Sequence, residues 1–367
     1  MERATHKKII IAGGGTGGHI FPAVAIARAM QRLAPGTDIL FVGAKGKMEM
    51  EKIPAEGFSI VGLDIAGFNR SSLLKNFMLP VKLIRSLWQA RSILRSFQPD
   101  IAIGVGGYAS FPILFMAQRM KLATLIQEQN SVAGKSNQIL GRKAKAICVA
   151  YPNMDAYFPK DKIVFTGNPV RQSISNAKVS RAEGVSFFQL DANQKIIFAF
   201  GGSLGAKSIN ETLAASLQQI VDSKVQLIWQ TGKIFYEEAC AAAKGFENQI
   251  KVFAFIRDME YAYGAADVII SRAGALSIAE LCFVGKPVVF VPFPFASEDH
   301  QTQNALALVK RNAAMMVRDH EVRNDLMKKV LMILSQDAEA SLLQKNILAL
   351  ACADADEKIA HQILDII

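Results

Sequence analysis

The sequence has few cysteines and histidines, and their spacing excludes two common kinds of site. Its 4 cysteines among 367 residues include no CxxC pair. A zinc site or a disulfide framework is therefore not expected, and the chain is typical of a reducing cytoplasm. The 5 histidines include no pair at ligand spacing, so we predict no histidine-based metal site. We also expect that the protein uses no metal and no cofactor.

Long apolar runs are also missing, and acidic residues are scarce in one region. No apolar run reaches ~18 residues, so no membrane-spanning helix is expected, and the N-terminal apolar stretch is too short for a signal peptide. The net charge is +10, and residues 65–150, with 12 basic and 2 acidic side chains, contain the whole excess. Such a region favours an anionic partner, which could be nucleic acid, a phosphorylated substrate or an acidic membrane.

Short β-branched runs alternate with helical patterns along the chain, which predicts an α/β protein with parallel sheets. At ~150 residues per domain, the length predicts two domains. We expect domains at 1–168 and 169–340, followed by a C-terminal helix at 341–367 that packs back on the first domain. The expected strands are 8–12, 39–43, 100–104, 123–127, 146–150, 195–200, 226–230, 250–253, 267–270 and 287–291.

Glycine-rich turns follow three of these strands, at 13–18, 104–107 and 201–205. The first contains GxGxxG, but the acidic residue that would hold an NAD ribose is misplaced, because Asp38 precedes its strand and Lys45 follows it. It is not an ATPase loop either, since His19 stands where lysine is required. Exposed amides at a helix start can bind an anion or a polar substrate, and a plain tight turn is the alternative.

Seven segments together resemble the MurG family of glycosyltransferases, over about residues 8–314. They are GGGTGGHIFP (13–22), GVGGY (104–108), EQN (128–130), GNPVR (167–171), GGSLGA (201–206), SRAGALSIAE (271–280) and DHQ (299–301). One departure is Gln127, where the resemblance leads us to expect histidine in some relatives.

The resemblance implies a GT-B fold, in which two Rossmann-like doubly wound domains face each other across a cleft. It implies an inverting transfer of N-acetylglucosamine from UDP-GlcNAc to the C4 hydroxyl of MurNAc in lipid I, an undecaprenyl-pyrophosphoryl-MurNAc-pentapeptide. The product is lipid II, for peptidoglycan synthesis. The implied location is peripheral, on the cytoplasmic face of the plasma (inner) membrane.

The resemblance also implies which residues bind the donor. The diphosphate would lie near Arg171 and Ser203, the uracil near the backbone of Ile256, and the ribose near Glu280. The sugar would contact Asn130 and Gln301. The full expected set is Thr16, Gly17, Gly18, Asn130, Arg171, Ser203, Ile256, Ala275, Leu276, Ser277, Ile278, Ala279, Glu280 and Gln301.

An inverting transfer needs one base, and His19 is the candidate. It follows a glycine turn at a helix start, where the helix dipole disfavours the imidazolium and leaves a neutral ring that can accept a proton. Glu128 and Tyr108 are rival candidates. The DxD at Asp354 and Asp356 is expected to be a solvated helix face rather than a metal site.

An apolar stripe at helical spacing runs through the basic region and predicts membrane contact. The expected contact residues are Leu74, Lys75, Phe77, Lys82, Ile84, Arg85 and Trp88. Basic residues beside apolar ones suit an anionic leaflet, while a second stripe (Leu83, Leu87, Ala90, Leu94 and Phe97) can form the core face.

Three other functions stay open on the residues alone. A UDP-sugar epimerase would share the fold but need no lipid. An NAD oxidoreductase is disfavoured by the position of Asp38. A peripheral membrane or nucleic-acid-binding protein would use the basic region, but that region lacks the interleaved aromatics that stack on single strands, so we expect no nucleic acid.

Overall fold

The computed structural model describes residues 6–65, 79–175, 179–202 and 204–367, which form two α/β units. Unit 1 comprises 1–170 with 353–367, and unit 2 comprises 171–352. The strands of unit 1 are β1 (Lys8–Ala12), β2 (Asp38–Ala44), β3 (Ser59–Leu63), β4 (Ile101–Gly104), β5 (Ala123–Glu128), β6 (Ala146–Val149) and β7 (Ile163–Phe165). Its helices are α1 (Gly17–Leu33), α2 (Glu49–Ala55), α3 (Leu79–Phe97), α4 (Ser110–Arg119), α5 (Lys135–Gly141) and α15 (Ala355–Leu364).

Unit 2 has the same alternation of strands and helices. Its strands are β8 (Lys195–Phe200), β9 (Val225–Gln230), β10 (Ile250–Phe253), β11 (Val268–Ser271), β12 (Val288–Phe290) and β13 (Met315–Met316). Its helices are α6 (Gln172–Ser175), α7 (Arg181–Phe187), α8 (Lys207–Asp222), α9 (Tyr236–Ala242), α10 (Met259–Ala265), α11 (Ala275–Val284), α12 (His300–Val309), α13 (Val322–Ser335) and α14 (Asp337–Leu348).

Both sheets are wholly parallel and doubly wound. The strand order is β3-β2-β1-β4-β5-β6-β7 in unit 1 and β10-β9-β8-β11-β12-β13 in unit 2. In each sheet the winding direction reverses between the first strand and the fourth, and ligands of open α/β sheets bind at the carboxyl ends of those two strands. The predicted turns 13–18, 104–107 and 201–205 all lie at such reversal points, as does the turn after β11.

The core of unit 1 follows from the two-residue period of its strands. Ile9 and Ile11 of β1 pack on one face against α1 and α15, while Ile10 packs on the other face with α3 and α4. Such near-continuous apolar strands are expected where helices cover both faces.

The ten predicted strands are all present, with boundaries that differ by at most one residue at either end, and three further strands were missed. The missed strands β3, β7 and β13 each form an edge of a sheet, and two of them have three residues or fewer. Edge strands bury less surface, so their sequences carry a weaker apolar pattern.

The single helix expected at 341–367 is two helices, α14 and α15. Between them Asp354 has a φ of +56°, which no continuous α-helix allows. The helix α15 belongs to unit 1 and contacts α1, where Arg32 bonds Asp356 at 2.9 Å and Glu357 at 3.1 Å. This places one carboxylate of the DxD sequence in an ion pair.

Candidate active site

Two glycine turns of unit 1 meet at the carboxyl edge of its sheet. The turn after β4 includes Gly107 at a φ of +85°, and a Cβ there would lie 2.2 Å from the carbonyl oxygen of Gly14. Only glycine fits such a close approach of two backbones. The turn 13–18 is therefore fixed against 104–107.

A buried carboxylate holds the turn 13–18 through hydrogen bonds to the backbone. Glu49, the first residue of α2, is 2% exposed and accepts the N–H groups of Gly15 at 2.8 Å and Ala44 at 3.0 Å. The amide of Gly15 is thus already used by an anionic group of the protein. A negative charge beneath the turn disfavours binding of a phosphate at that amide, so a hydroxyl of a polar substrate fits this part of the turn better.

His19 lies in the first turn of α1, three residues after the N-cap residue Thr16. Its ring Nδ1 is 2.9 Å from the carbonyl oxygen of Gly14 and 3.4 Å from Thr16 Oγ1. A carbonyl can only accept, so the bond assigns the proton to Nδ1 and leaves Nε2 as the basic nitrogen of the neutral ring. Nε2 faces the turn after β4, since a Cβ on Gly106 would lie 2.9 Å from it.

Glu128, the rival base, is buried and its carboxylate organises the loop that follows β5. Oε1 accepts the backbone N–H and side-chain amide of Asn130 at 3.1 and 3.2 Å, and Oε2 accepts Gly134 N–H at 3.1 Å and Asn137 Nδ2 at 2.8 Å. These four hydrogen bonds hold the loop after β5 against the carboxylate of Glu128. The side chain of Asn130, a predicted sugar contact, is thereby fixed at this edge.

A buried amide network continues from β5 toward the end of unit 1. Gln127 donates to Asn168 Oδ1 at 2.9 Å and accepts from Gln129, which also donates to Val105 O at 2.7 Å. Asn168 in turn donates to the carbonyl of Gln129 at 2.9 Å. Gln127 therefore serves as a neutral donor and acceptor in this network.

In unit 2 the candidate diphosphate site is the start of α11, directly after the turn that follows β11. Gly274 caps the helix, and the first helical bond joins Ile278 N–H to its carbonyl at 2.9 Å. The N–H groups of Ala275, Leu276 and Ser277 precede that bond and point toward the N-terminal end, where an anion is stabilised. Ile278 itself has a buried side chain and contributes packing.

Arg171 and Glu280, expected to contact different parts of the donor, contact each other. Arg171 Nε donates to Glu280 Oε1 at 2.7 Å and Nη2 donates to Oε2 at 3.0 Å, a two-pronged ion pair. Glu280 is 9% exposed. The hydrogen bond that Arg171 donates to Glu280 raises the pKa of Arg171. Burial, followed by the charge of Glu280, raises the pKa of neighbouring Tyr263 well above its usual value.

Ile256 and Gln301, two further residues predicted to contact UDP-GlcNAc, already form hydrogen bonds within unit 2. Ile256 donates its N–H to Gln230 Oε1 at 2.8 Å, so its carbonyl is the backbone group to consider for uracil. Gln301 Oε1 accepts from Phe293 N–H at 2.9 Å and Ala273 N–H at 3.2 Å, which leaves its NH₂ as the donor for a sugar oxygen. Ser203 lies outside the described residues.

The predicted membrane stripe is partly described. On α3, Ile84 and Trp88 are 58% and 72% exposed, and Lys82 is exposed beside them. Arg85 is also exposed and pairs with Asp64 at 3.2 Å. Leu74, Lys75 and Phe77 lie outside the described residues. None of the described helices is long and apolar enough to cross a membrane.

The second stripe of α3 was predicted to face the core, and this was right for only part of it. Ala90 and Leu94 are buried and Leu87 and Phe97 are partly so, but Leu83 is exposed. Leu83 lies one turn from Leu87, on the part of the helix where Val81 and Ile84 are also exposed. The apolar surface of α3 is therefore wider than the first stripe alone.

Sequence reasoning missed several residues that hold the two sites in place. Glu49 was overlooked because its partner Gly15 is 34 residues away. Arg272 belongs to the segment 271–280, but its sequence position gave no sign of its contacts. It donates to Val291 O at 3.1 Å and Asp319 Oδ1 at 2.6 Å and so fixes the turn after β11. Among the residues described, no three His, Cys, Asp or Glu side chains are grouped as a metal site.

Comparison with known proteins identifies the class of protein. Residues 9–149 match the glycosyltransferase family 28 N-terminal domain, and residues 196–362 match the C-terminal domain of that family. Two parallel α/β units with these domain types define a GT-B glycosyltransferase. The solved structure of Acinetobacter baumannii MurG superposes with a TM-score of 0.80 at 29% identity, over 98% of this chain and 99% of that one.

Curated relatives narrow the class to one family. A protein of Parabacteroides distasonis is 49% identical over 98% of each chain, and one of Bacteroides thetaiotaomicron is 51% identical over 97% of each. Both are named UDP-N-acetylglucosamine–N-acetylmuramyl-(pentapeptide) pyrophosphoryl-undecaprenol N-acetylglucosamine transferase. The chain belongs to the MurG family of glycosyltransferases. The resemblance and fold predicted from the sequence are confirmed, and the alternative functions are set aside.

Proposed function

We propose that this enzyme transfers N-acetylglucosamine from UDP-GlcNAc to the C4 hydroxyl of the muramyl sugar in lipid I, forming lipid II with inversion at the sugar carbon. The observation that carries the proposal is family membership over nearly the whole chain, at about half of all positions identical. The N-terminal edge of α11 and Arg171 in unit 2 supply groups for a diphosphate. The turn 13–18 with His19 in unit 1 supplies groups for a hydroxyl.

The proposed step moves one proton and one sugar. Nε2 of His19 takes the proton of the acceptor hydroxyl as its oxygen attacks the anomeric carbon of the donor. The bond from that carbon to the β-phosphate oxygen breaks, and the leaving UDP carries the negative charge. The N–H groups at the start of α11 and the guanidinium of Arg171 stabilise that charge.

A transfer assay tests the reaction directly. Purified protein, labelled UDP-GlcNAc and a lipid I analogue in detergent are expected to give labelled disaccharide lipid, with EDTA present or absent. Omission of the lipid is the control, because an epimerase would still convert the nucleotide sugar. Conversion of UDP-GlcNAc without lipid, or binding without transfer, would contradict the proposal.

We further propose that α3 contacts the anionic cytoplasmic leaflet of the plasma (inner) membrane, where the lipid substrate resides. The support is the pair of exposed apolar side chains one helical turn apart, Ile84 and Trp88, beside the cation Lys82. Apolar groups gain from burial at the lipid boundary, and each nearby cation adds ~1 kcal/mol on an anionic surface.

Vesicle binding tests the membrane contact. Replacement of both Ile84 and Trp88 by serine is expected to weaken binding to phosphatidylglycerol vesicles at least about 10-fold. Full insertion of each apolar side chain into the lipid contributes ~1.5–3 kcal/mol to the binding free energy, and serine removes that contribution. Ile234→Ser, at an 88% exposed apolar residue of unit 2, is the matched control. Equal losses in both variants, or none, would place the membrane contact elsewhere.

A further inference from the structure

One peptide group in the first glycine turn is bonded at both of its ends. It joins Gly14 to Gly15. Its N–H donates to Glu49 Oε2 at 2.8 Å, and its carbonyl accepts from His19 Nδ1 at 2.9 Å. Glu49 and His19 are therefore connected through a single planar group.

The fold makes room for this arrangement with two glycines. A Cβ on Gly14 would lie 2.4 Å from Glu49 Cδ, and a Cβ on Gly43 would lie 2.5 Å from Glu49 Cγ. The second oxygen of the carboxylate is used as well, because Oε1 accepts Ala44 N–H at 3.0 Å. Glu49 is thus locked under the turn in one orientation, at the start of α2.

Polarisation passes along such a chain of bonds. A carboxylate that accepts the peptide N–H draws that hydrogen toward itself and makes the carbonyl at the other end a stronger acceptor. A stronger acceptor holds the Nδ1 proton of His19 and stabilises the imidazolium that forms when Nε2 takes a proton. The carboxylate of a catalytic triad does the same by direct contact with its histidine.

We propose that Glu49 is a positioning residue for His19, acting through the Gly14–Gly15 peptide to fix the ring tautomer and raise the basicity of Nε2. The inference rests on the proposed function, in which His19 is the base. Other groups face the same ring and turn: the N-terminus of α1 opposes the imidazolium, Thr16 Oγ1 lies 3.4 Å from Nδ1, and the Tyr108 ring lies 3.8 Å from a Cβ placed on Gly15.

Replacement of Glu49 by glutamine is the primary test. We expect Glu49→Gln to lower kcat by about 10- to 100-fold, the range seen when a group that orients a metal-binding histidine is lost, with KM for UDP-GlcNAc nearly unchanged. The acidic limb of the kcat/KM profile should move to lower pH, because the imidazolium loses its stabilising charge. Glu51→Gln, an exposed carboxylate on the same helix, is the matched control.

A double-mutant cycle separates the relay from a general structural effect. Glu49→Gln should cause little further loss of residual activity in a His19→Ala protein, because its effect passes through His19. Equal losses in both backgrounds would overturn the relay. Thermal unfolding of each variant shows whether the fold is kept.

A measurement on the wild-type protein covers the case in which Glu49→Gln does not fold. Nitrogen-15 NMR of the His19 ring at neutral pH should show the tautomer protonated at Nδ1. A ring protonated at Nε2 would overturn the relay even in an active enzyme. If the wild-type protein binds UDP but transfers nothing to lipid, the proposed function fails instead, and the tautomer still tests the relay.

Discussion

Replacement of His19 by alanine is expected to lower kcat by about 100- to 10,000-fold, the range typical of a lost general base. The affinity for UDP should change little, because the groups expected to bind its diphosphate, uracil and ribose (Arg171, the start of α11, Ile256 and Glu280) lie in unit 2. The acidic limb of the kcat/KM profile should disappear with the side chain, since in the wild-type enzyme activity falls as the base becomes protonated.

Steady-state transfer kinetics across pH and calorimetric titration with UDP measure the two expectations separately. His361→Ala, at an exposed histidine of α15, is the control for loss of an imidazole elsewhere. A His19→Ala enzyme with more than about a tenth of wild-type kcat would show that another group accepts the proton.

The rival base Glu128 predicts a different pattern. Its carboxylate accepts four hydrogen bonds from the loop after β5, so Glu128→Gln should lower thermal stability and disturb the loop. If Glu128 acts by positioning, the acidic limb of the pH profile stays in that variant. Loss of the limb in Glu128→Gln, but not in His19→Ala, would reverse the assignment.

The pattern of strands was predictable because burial on both faces leaves a continuous apolar signal. Residues 8–12 and 195–200 show this continuous apolar pattern. The glycine turns that follow them predicted which edge of each sheet holds the candidate site. The strand β13 has two methionines and a neighbour on one side only, so too little burial shaped its sequence for a pattern to show.

Which side chains pair with each other was less predictable from the sequence than the order of strands and helices. Motifs gave Arg171 and Glu280 separate roles, but 109 residues separate them, and only the fold brings them into one ion pair. The burial of Glu49 was unpredictable for a similar reason. A glutamate in the first turn of a helix is usually a solvated charge that favours the helix dipole. Glu49 is buried here because Gly14 and Gly43 have no side chain and leave room for its carboxylate.

Glu280→Gln is expected to weaken UDP binding by about 10- to 100-fold, in line with the ~1.5–3 kcal/mol of a hydrogen bond to a charged group. The same variant should bind inorganic pyrophosphate more tightly than the wild-type protein does. The reason is that the Arg171 guanidinium, now bonded to Glu280 through two nitrogens, must be shared with or released to an incoming diphosphate. A neutral glutamine holds it less strongly.

Calorimetry with UDP and with pyrophosphate distinguishes this ion-pair exchange from simple loss of a ribose contact. Loss of the ribose contact alone would weaken UDP and leave pyrophosphate unchanged. Glu260→Gln is the control, because Glu260 acts on Arg171 by charge without a hydrogen bond and should have a smaller effect. If exchange occurs, a complete nucleoside diphosphate can satisfy both members of the pair, whereas pyrophosphate leaves Glu280 unpaired, and the site thereby selects the intact donor over its parts.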